Sequence, residues 1–251
     1  MTDRAPISHT VDDRIIVRGR DLADELIGRL SFTEMFLLDL HGEVPSPSHV
    51  RMVEAVLVGT MEHGITPSTL AARLVLDGAP ESTQGAVAAG LLATGSRFLG
   101  VTEQVAIFIQ RVVSASERTG VAAAARDEIK ATIAEGRKVP GFGHNLHHQV
   151  DPRVARMIEL AKQEGVFGPH LTALHEVGQI LNEGRDTPLI MNAAGAAGAA
   201  MSDLGYAPSA IRGFALVARC AGLVAHVMDE QDHPISRAVW QHAHETLGQE
   251  L

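Results

Sequence analysis

Cysteine is almost absent: Cys220 stands alone among 251 residues, so no disulfide can close within the chain. That usage fits a reducing, cytoplasmic setting. Aromatic residues are scarce at 4%, with one Trp and one Tyr. A β-sandwich core leans on such side chains, whereas abundant small residues suit closely packed helices. Positive charge is short as well, with 21 Lys and Arg against 30 Asp and Glu and a net charge of -9. The basic footprint of a nucleic-acid binder is therefore missing, and an anionic membrane surface would repel the chain. No run approaches the ~18–20 apolar residues of a membrane span, and the opening MTDRAPISHTVDDR lacks the apolar core of a signal peptide. What is present is 45% hydrophobic and 20% charged sequence, the balance of a globular protein with one large or two small domains.

The hydrophobic spacing is helical nearly throughout. Residues 1–20 read as a polar arm with a short extended piece, Ile15-Ile16-Val17. Helical patterns cover 21–40 (with Ser31 and Glu34 as a capping box), 48–62, 67–76, 82–93, 101–118 and 120–135. After an irregular stretch at 136–150 they resume at 152–164, 170–183, 188–203, 208–229 and 234–247. Asp151 and Pro152 form a cap and first turn. With one or two candidate strands, the expected class is all-α. The Ala- and Gly-rich 188–201 stretch carries so few charges that it is expected to be buried, with a subunit contact as one possible setting.

Chemistry concentrates in the irregular segment, GRKVPGFGHNLHHQV. The glycines of Val139-Pro140-Gly141-Phe142-Gly143 let a backbone approach a ligand closely and aim N–H groups at it. His144 follows as a hydrogen-bond donor, and Arg153, nine residues later, stands in a first helical turn where it can fork a carboxylate. The plain alternative is a Gly-rich connection with a surface histidine. His144, His147, His148 and Asp151 are dense, but no HExxH motif or Cys cluster completes a metal site, so none is expected. His63 sits at a helix end, where favourable interaction with the helix dipole is its ordinary role. Arg219 lies on a strongly apolar helix and must be paired, either with an acid such as Asp229 or Glu230 or with an anionic ligand. Arg237 reads by itself as part of a solvated helix face.

The string VPGFGHNLHHQVDPR closely resembles the signature of the citrate synthase family, in which P-G-F/Y-G-H precedes D-P-R. VRGRDLADELIGRLSFTEMFLLDLHGEVPSP resembles an early segment of that family, and the likeness runs from about residue 14 almost to the end of a much shorter chain. The segment GLLATGSRFLG departs from the G-P-L-H-G-G of citrate synthases, placing Phe98 where their histidine stands. It resembles instead the citryl-CoA lyase module of ATP-citrate lyase. A second departure is Met191-Asn192-Ala193-Ala194-Gly195, where that module has N-V-D-G, so Ala194 takes the place of an acid/base aspartate.

The resemblance implies a shortened citrate synthase-like fold. Its expected parts are an arm at 1–20, a large helical domain from 21–134 and 206–251, and a small helical domain with the active-site loop at 135–205. It implies that His144 and His63 hydrogen-bond the reacting oxygen and that Arg153, Arg219 and Arg237 hold carboxylates, Arg237 in the neighbouring subunit's site. The Val139–Gly143 backbone would meet coenzyme A, which enters as part of the substrate rather than as a resident cofactor. The implied assembly is a homodimer or a dimer of dimers. The implied activity is retro-aldol cleavage of a carboxylated β-hydroxyacyl-CoA. The alternatives are a homologue that binds CoA esters or carboxylates without cleaving them, and, behind it, a citrate synthase-type acyl transferase. No GxxxxGK[ST] loop is present to make the thioester with ATP, so another protein would supply it.

Overall fold

The computed structural model describes residues 6–143 and 151–247, so His144, His147 and His148 lie outside the described residues. The arm forms an antiparallel meander, β1 (Ser8–Val11), β2 (Arg14–Val17) and β3 (Arg20–Asp21), in that order across the sheet. Its register pairs His9 with Ile16 and Ile16 with Asp21. That short apolar piece thus belongs to a small sheet, where an arm with one extended stretch was expected. Asp21 ends the meander and starts the chain upward: its carboxylate accepts the N–H groups of Ala23 and Asp24, capping a short π-helical turn at Leu22–Leu26. Arg14 pairs with the same carboxylate at 2.7 Å.

Eleven α-helices follow among the described residues: α1 (Phe32–His41), α2 (Pro47–Met61), α3 (Pro67–Gly78), α4 (Thr83–Leu92), α5 (Val101–Thr119), α6 (Val121–Ala134), α7 (Pro152–Gln163), α8 (Pro169–Leu181), α9 (Ala193–Asp203), α10 (Pro208–Asp232) and α11 (Ser236–Leu247). The all-α class is confirmed. Local chemistry sets several starts. Ser31 and Glu34 close a reciprocal capping box before α1, and Thr66 and Thr69 do the same before α3, with Pro67 in its first turn. Asp151 caps α7 through the N–H of Arg153.

α9 lies at the centre, packed against α5, α8, α7, α2 and α10. Every residue from Ala193 to Ser202 except Ala194 is buried. The low charge of this segment accords with its burial within the chain from Ala193 on. The helix also begins at 193 rather than 188, because the Asn192 side chain accepts the N–H of Gly195 as a cap. α10 is long and apolar enough to cross a membrane by length and composition, with a mean hydropathy of 1.5 in its best window. That corrects the expectation that no stretch approaches a span. Its apolar residues have another use here, since α10 packs against α2, α3, α4, α5 and α9.

Two close approaches shape the centre. A Cβ on Gly222 of α10 would stand 2.3 Å from the Met61 carbonyl oxygen at the end of α2. A Cβ on Gly195 would stand 2.7 Å from the Gly141 oxygen, and Gly141 itself has φ +89°. These positions need glycine for backbone contact.

Candidate active site

A cavity of about 490 Å³ opens where five parts of the chain meet. The end of α2 and the loop after it supply Thr60, His63 and Ile65; the α4–α5 loop supplies Thr94 and Arg97–Leu99; α10 supplies Arg219. The remaining wall comes from Gly143 and from helix starts: Thr66–Ser68 at α3, Val101 and Thr102 at α5, Arg153 at α7, and Asn192–Ala194 at α9. First-turn N–H groups have no intrahelical carbonyl, and the helix dipole is positive there. Four such turns together with Arg97, Arg153 and Arg219 surround the space, and no Asp or Glu lines it among the described residues. The cavity suits an anion with more than one negative group.

Arg219 is the unusual member. It is 7% exposed, and its Nη2 donates to the Thr60 carbonyl at 3.2 Å. Its Nε and Nη1 are buried with no hydrogen-bond partner. Burial pushes its pKa down, the Glu62 carboxylate counters this, and the charge of Arg153 adds to the lowering. Neither acid proposed as its partner serves it. Asp229 and Glu230 are ten and eleven residues further along α10, a rise of ~15 Å or more at ~1.5 Å per residue, and both pair with Arg73 of α3. Buried donors without partners carry a large cost, and an anionic ligand would offset it.

Arg153 is held differently. Its Nε and Nη2 form a fork on the buried Asp151 carboxylate at 3.0 and 2.8 Å, and its Nη1 lies 3.4 Å from His63 Nδ1. A guanidinium only donates, so Nδ1 accepts and the His63 ring proton sits on Nε2. His63 is in turn fixed through its backbone, because Glu62 Oε1 accepts the N–H groups of His63 and Gly64 at 2.8 and 2.6 Å. Asp151 was legible as a cap; its fork on Arg153 was not, though the i, i+2 spacing from a helix cap was a usable signal.

Of the predicted site residues, the fold brings His63, Arg153, Arg219 and Gly143 to one cavity, together with Phe98 and Ala194. Val139, Pro140, Gly141 and Phe142 are not among its lining. Val139 is buried in the core and Phe142 packs against it. The loop is clamped to the lead-in of α9, with Gly143 N–H on the Ile190 oxygen at 2.7 Å and Asn192 N–H on the Gly141 oxygen at 2.9 Å. Arg237 stands on α11, its side chain 82% exposed and paired with Asp77 at 3.1 Å, outside the cavity. Among the described residues no group of three His, Cys, Asp or Glu is placed to hold a metal ion. Asn192 Nδ2 is engaged by the Gly143 oxygen at 3.0 Å, and Cys220 packs against a separate small cluster that includes Ala72 and Leu76. Arg97 was missed by sequence reasoning, although it immediately precedes Phe98.

The family model described as citrate synthase, C-terminal domain, matches residues 13–239. The chain belongs to the citrate synthase family. Within it, the chain is 34% identical to citryl-CoA lyase from Hydrogenobacter thermophilus, with a TM-score of 0.80 over 92% of this chain and 87% of that one. An aspartate-to-alanine variant of Methanosaeta concilii ATP citrate lyase, solved in complex with (3S)-citryl-CoA, shares the fold at 21% identity. Its TM-score is 0.75 over 94% of this chain and 41% of that chain. A 2-methylcitrate synthase of Mycobacterium tuberculosis is 26% identical over 203 residues, which cover 80% of this chain and 50% of that protein. The chain matches only 33% to 50% of the length of the first curated relatives. The expected shortened citrate synthase-like fold is present. Ala194 of this family member lines the cavity, so the departure from N-V-D-G falls at the site itself.

Proposed function

We propose that this family member is a citryl-CoA lyase-type enzyme that splits a carboxylated β-hydroxyacyl-CoA into an acyl-CoA and a keto acid or ketone. The observation that carries this is Arg219: a buried guanidinium with two unpartnered N–H donors on a cavity with no acidic lining. The likeness to the Hydrogenobacter lyase over most of both chains supports the reaction class.

In the cleavage, the β-hydroxyl gives up its proton and its oxygen forms a carbonyl. The Cα–Cβ bond breaks, its electron pair goes to the thioester enolate, and the enolate carbon takes a proton. The proton count is conserved, so no redox partner is needed. Arg219 and Arg153 bind carboxylates and fix the substrate against the cavity wall. His63, with its proton on Nε2, donates to the oxygen whose charge changes, and His144 shares that role. Such a donor lowers the barrier by ~2.7–4 kcal/mol in comparable sites. Ala194 cannot carry the proton, so another group or solvent does. Coenzyme A belongs to the substrate. Arg237, outside its own chain's cavity, serves the site of a partner subunit in a homodimer or a dimer of dimers.

The absence of any Asp or Glu from the lining favours one second reading, a homologue that binds CoA esters or carboxylates without cleaving them. Purified protein offered citryl-CoA and related β-hydroxyacyl-CoAs, with acyl-CoA release followed by mass spectrometry, separates the two. Cleavage of any member supports the lyase. Saturable binding with no turnover across the panel overturns it in favour of the binding protein.

A further inference from the structure

A polar chain, buried at Arg73 and Glu230, runs from α3 through α10 to the loop that carries His63. Arg73, 3% exposed, is pinned by salt bridges to Asp229 and Glu230. Glu230 is fixed in turn, accepting the N–H groups of Ile235 and Ser236 at 2.9 and 2.8 Å. Arg73 Nε and Nη2 lie 3.2 and 2.9 Å from His226 Nδ1. Both are obligate donors, so Nδ1 must accept, and the ring proton of His226 sits on Nε2. Nε2 is 3.0 Å from Glu62 Oε1, the same oxygen that accepts the backbone N–H groups of His63 and Gly64. Burial works to raise the Glu62 carboxyl, but the bonds from His226 and those two N–H groups outweigh it and hold it below the usual range.

We propose that His226 is a positioning residue for His63. Arg73 locks its tautomer, its Nε2–H aims the Glu62 carboxylate, and that carboxylate sets the His63–Gly64 backbone. The logic is that of a supporting hydrogen bond: Glu62 is otherwise a half-exposed side chain at a helix end, with rotamer freedom to release the loop. The catalytic part of the inference rests on the lyase reading; the positioning part does not.

The test compares His226→Leu with His226→Gln. Glutamine offers a carbonyl to Arg73 and an amide N–H to Glu62, whereas leucine offers neither. Two quantities are read: kcat and KM for citryl-CoA, and the imidazole ¹⁵N and ¹H resonances of His63 without substrate, assigned by their loss in His63→Ala. Leucine is expected to shift the His63 signals and lower kcat about tenfold or more, with KM within about threefold. Glutamine is expected to restore both, kcat to within about threefold. Equal behaviour of the two variants in the His63 spectrum overturns the proposal. If the wild type turns over no CoA ester, the lyase reading fails while the His63 spectrum still decides the positioning. Should the leucine variant not fold, the ¹⁵N shifts of His226 in the wild type decide instead, and a proton found on Nδ1 overturns the proposal.

Discussion

Arg219 holds a charge at the cavity wall with two of its donor atoms buried and unpartnered, and removing it has two opposite consequences. Without ligand, Arg219→Met exchanges an unpaired buried cation for an apolar chain of similar length, a change that is often neutral or stabilising. With ligand, the anion loses its buried partner. The expected result is an unchanged or higher Tm for the ligand-free variant and loss of the Tm rise that citrate or citryl-CoA gives the wild type, read by thermal shift. A lower ligand-free Tm by several degrees would contradict the account of Arg219. Ala194→Asp tests the other residue-scale feature. A carboxylate at that first-turn position gains the helix dipole and stands beside the arginines, and the expected outcome is a rise in citryl-CoA cleavage of ~10²-fold or more. At this scale much was legible. Arg219 on an apolar helix announced a need for a partner, and Arg153 followed from the D-P-R string. The actual partners were not legible, because Arg219 meets Thr60 across 159 positions and Arg73 meets His226 across 153.

Among the elements, the corner where α1, α2 and the α9–α10 turn meet has its own pH behaviour. The buried Tyr206 hydroxyl lies 3.0 Å from His41 Nε2 and 2.8 Å from His49 Nε2. Burial, with some repulsion from His41, holds the His49 pKa below its ordinary 6.5. The native state thus keeps His49 neutral while the unfolded chain protonates near pH 6.5. Stability is full above that pH and falls as the pH drops from it toward the folded value. Denaturant melts at stepped pH are expected to show this slope in the wild type and a shallower one in His49→Gln. Helix starts were the most legible elements, since a cap is written in nearby residues: Ser31 with Glu34, Asp151 with Pro152. α9 was misread by five residues because its Ala–Gly composition extends ahead of the Asn192 cap, and composition alone does not mark where the turn begins.

For the whole molecule, the assembly is the open experiment. Arg237 is solvent-facing in its own chain, while the base of α11 is tied by Glu230 to the Arg73 network. Light scattering is expected to give a dimer or its multiple. Mixing Arg237→Ala with a variant dead at Arg219 is expected to restore about a quarter of the activity through hybrid dimers with one intact site. No recovery would place Arg237 outside the partner's site. The all-helical architecture could be read from periodicity, because each helix face is a local pattern. The cavity could not, because its wall is drawn from five separated places that only packing brings together.

Four helix starts belong to that wall. The helix dipole acts there through the whole backbone, so part of the attraction for anions does not depend on any one side chain. Recognition and reaction are in that sense inherited separately. A library randomised at Ala194 should contain many members that still hold the same ligand while differing in what they do to it, and a lineage could exchange one chemistry for another without first losing its grip on the substrate.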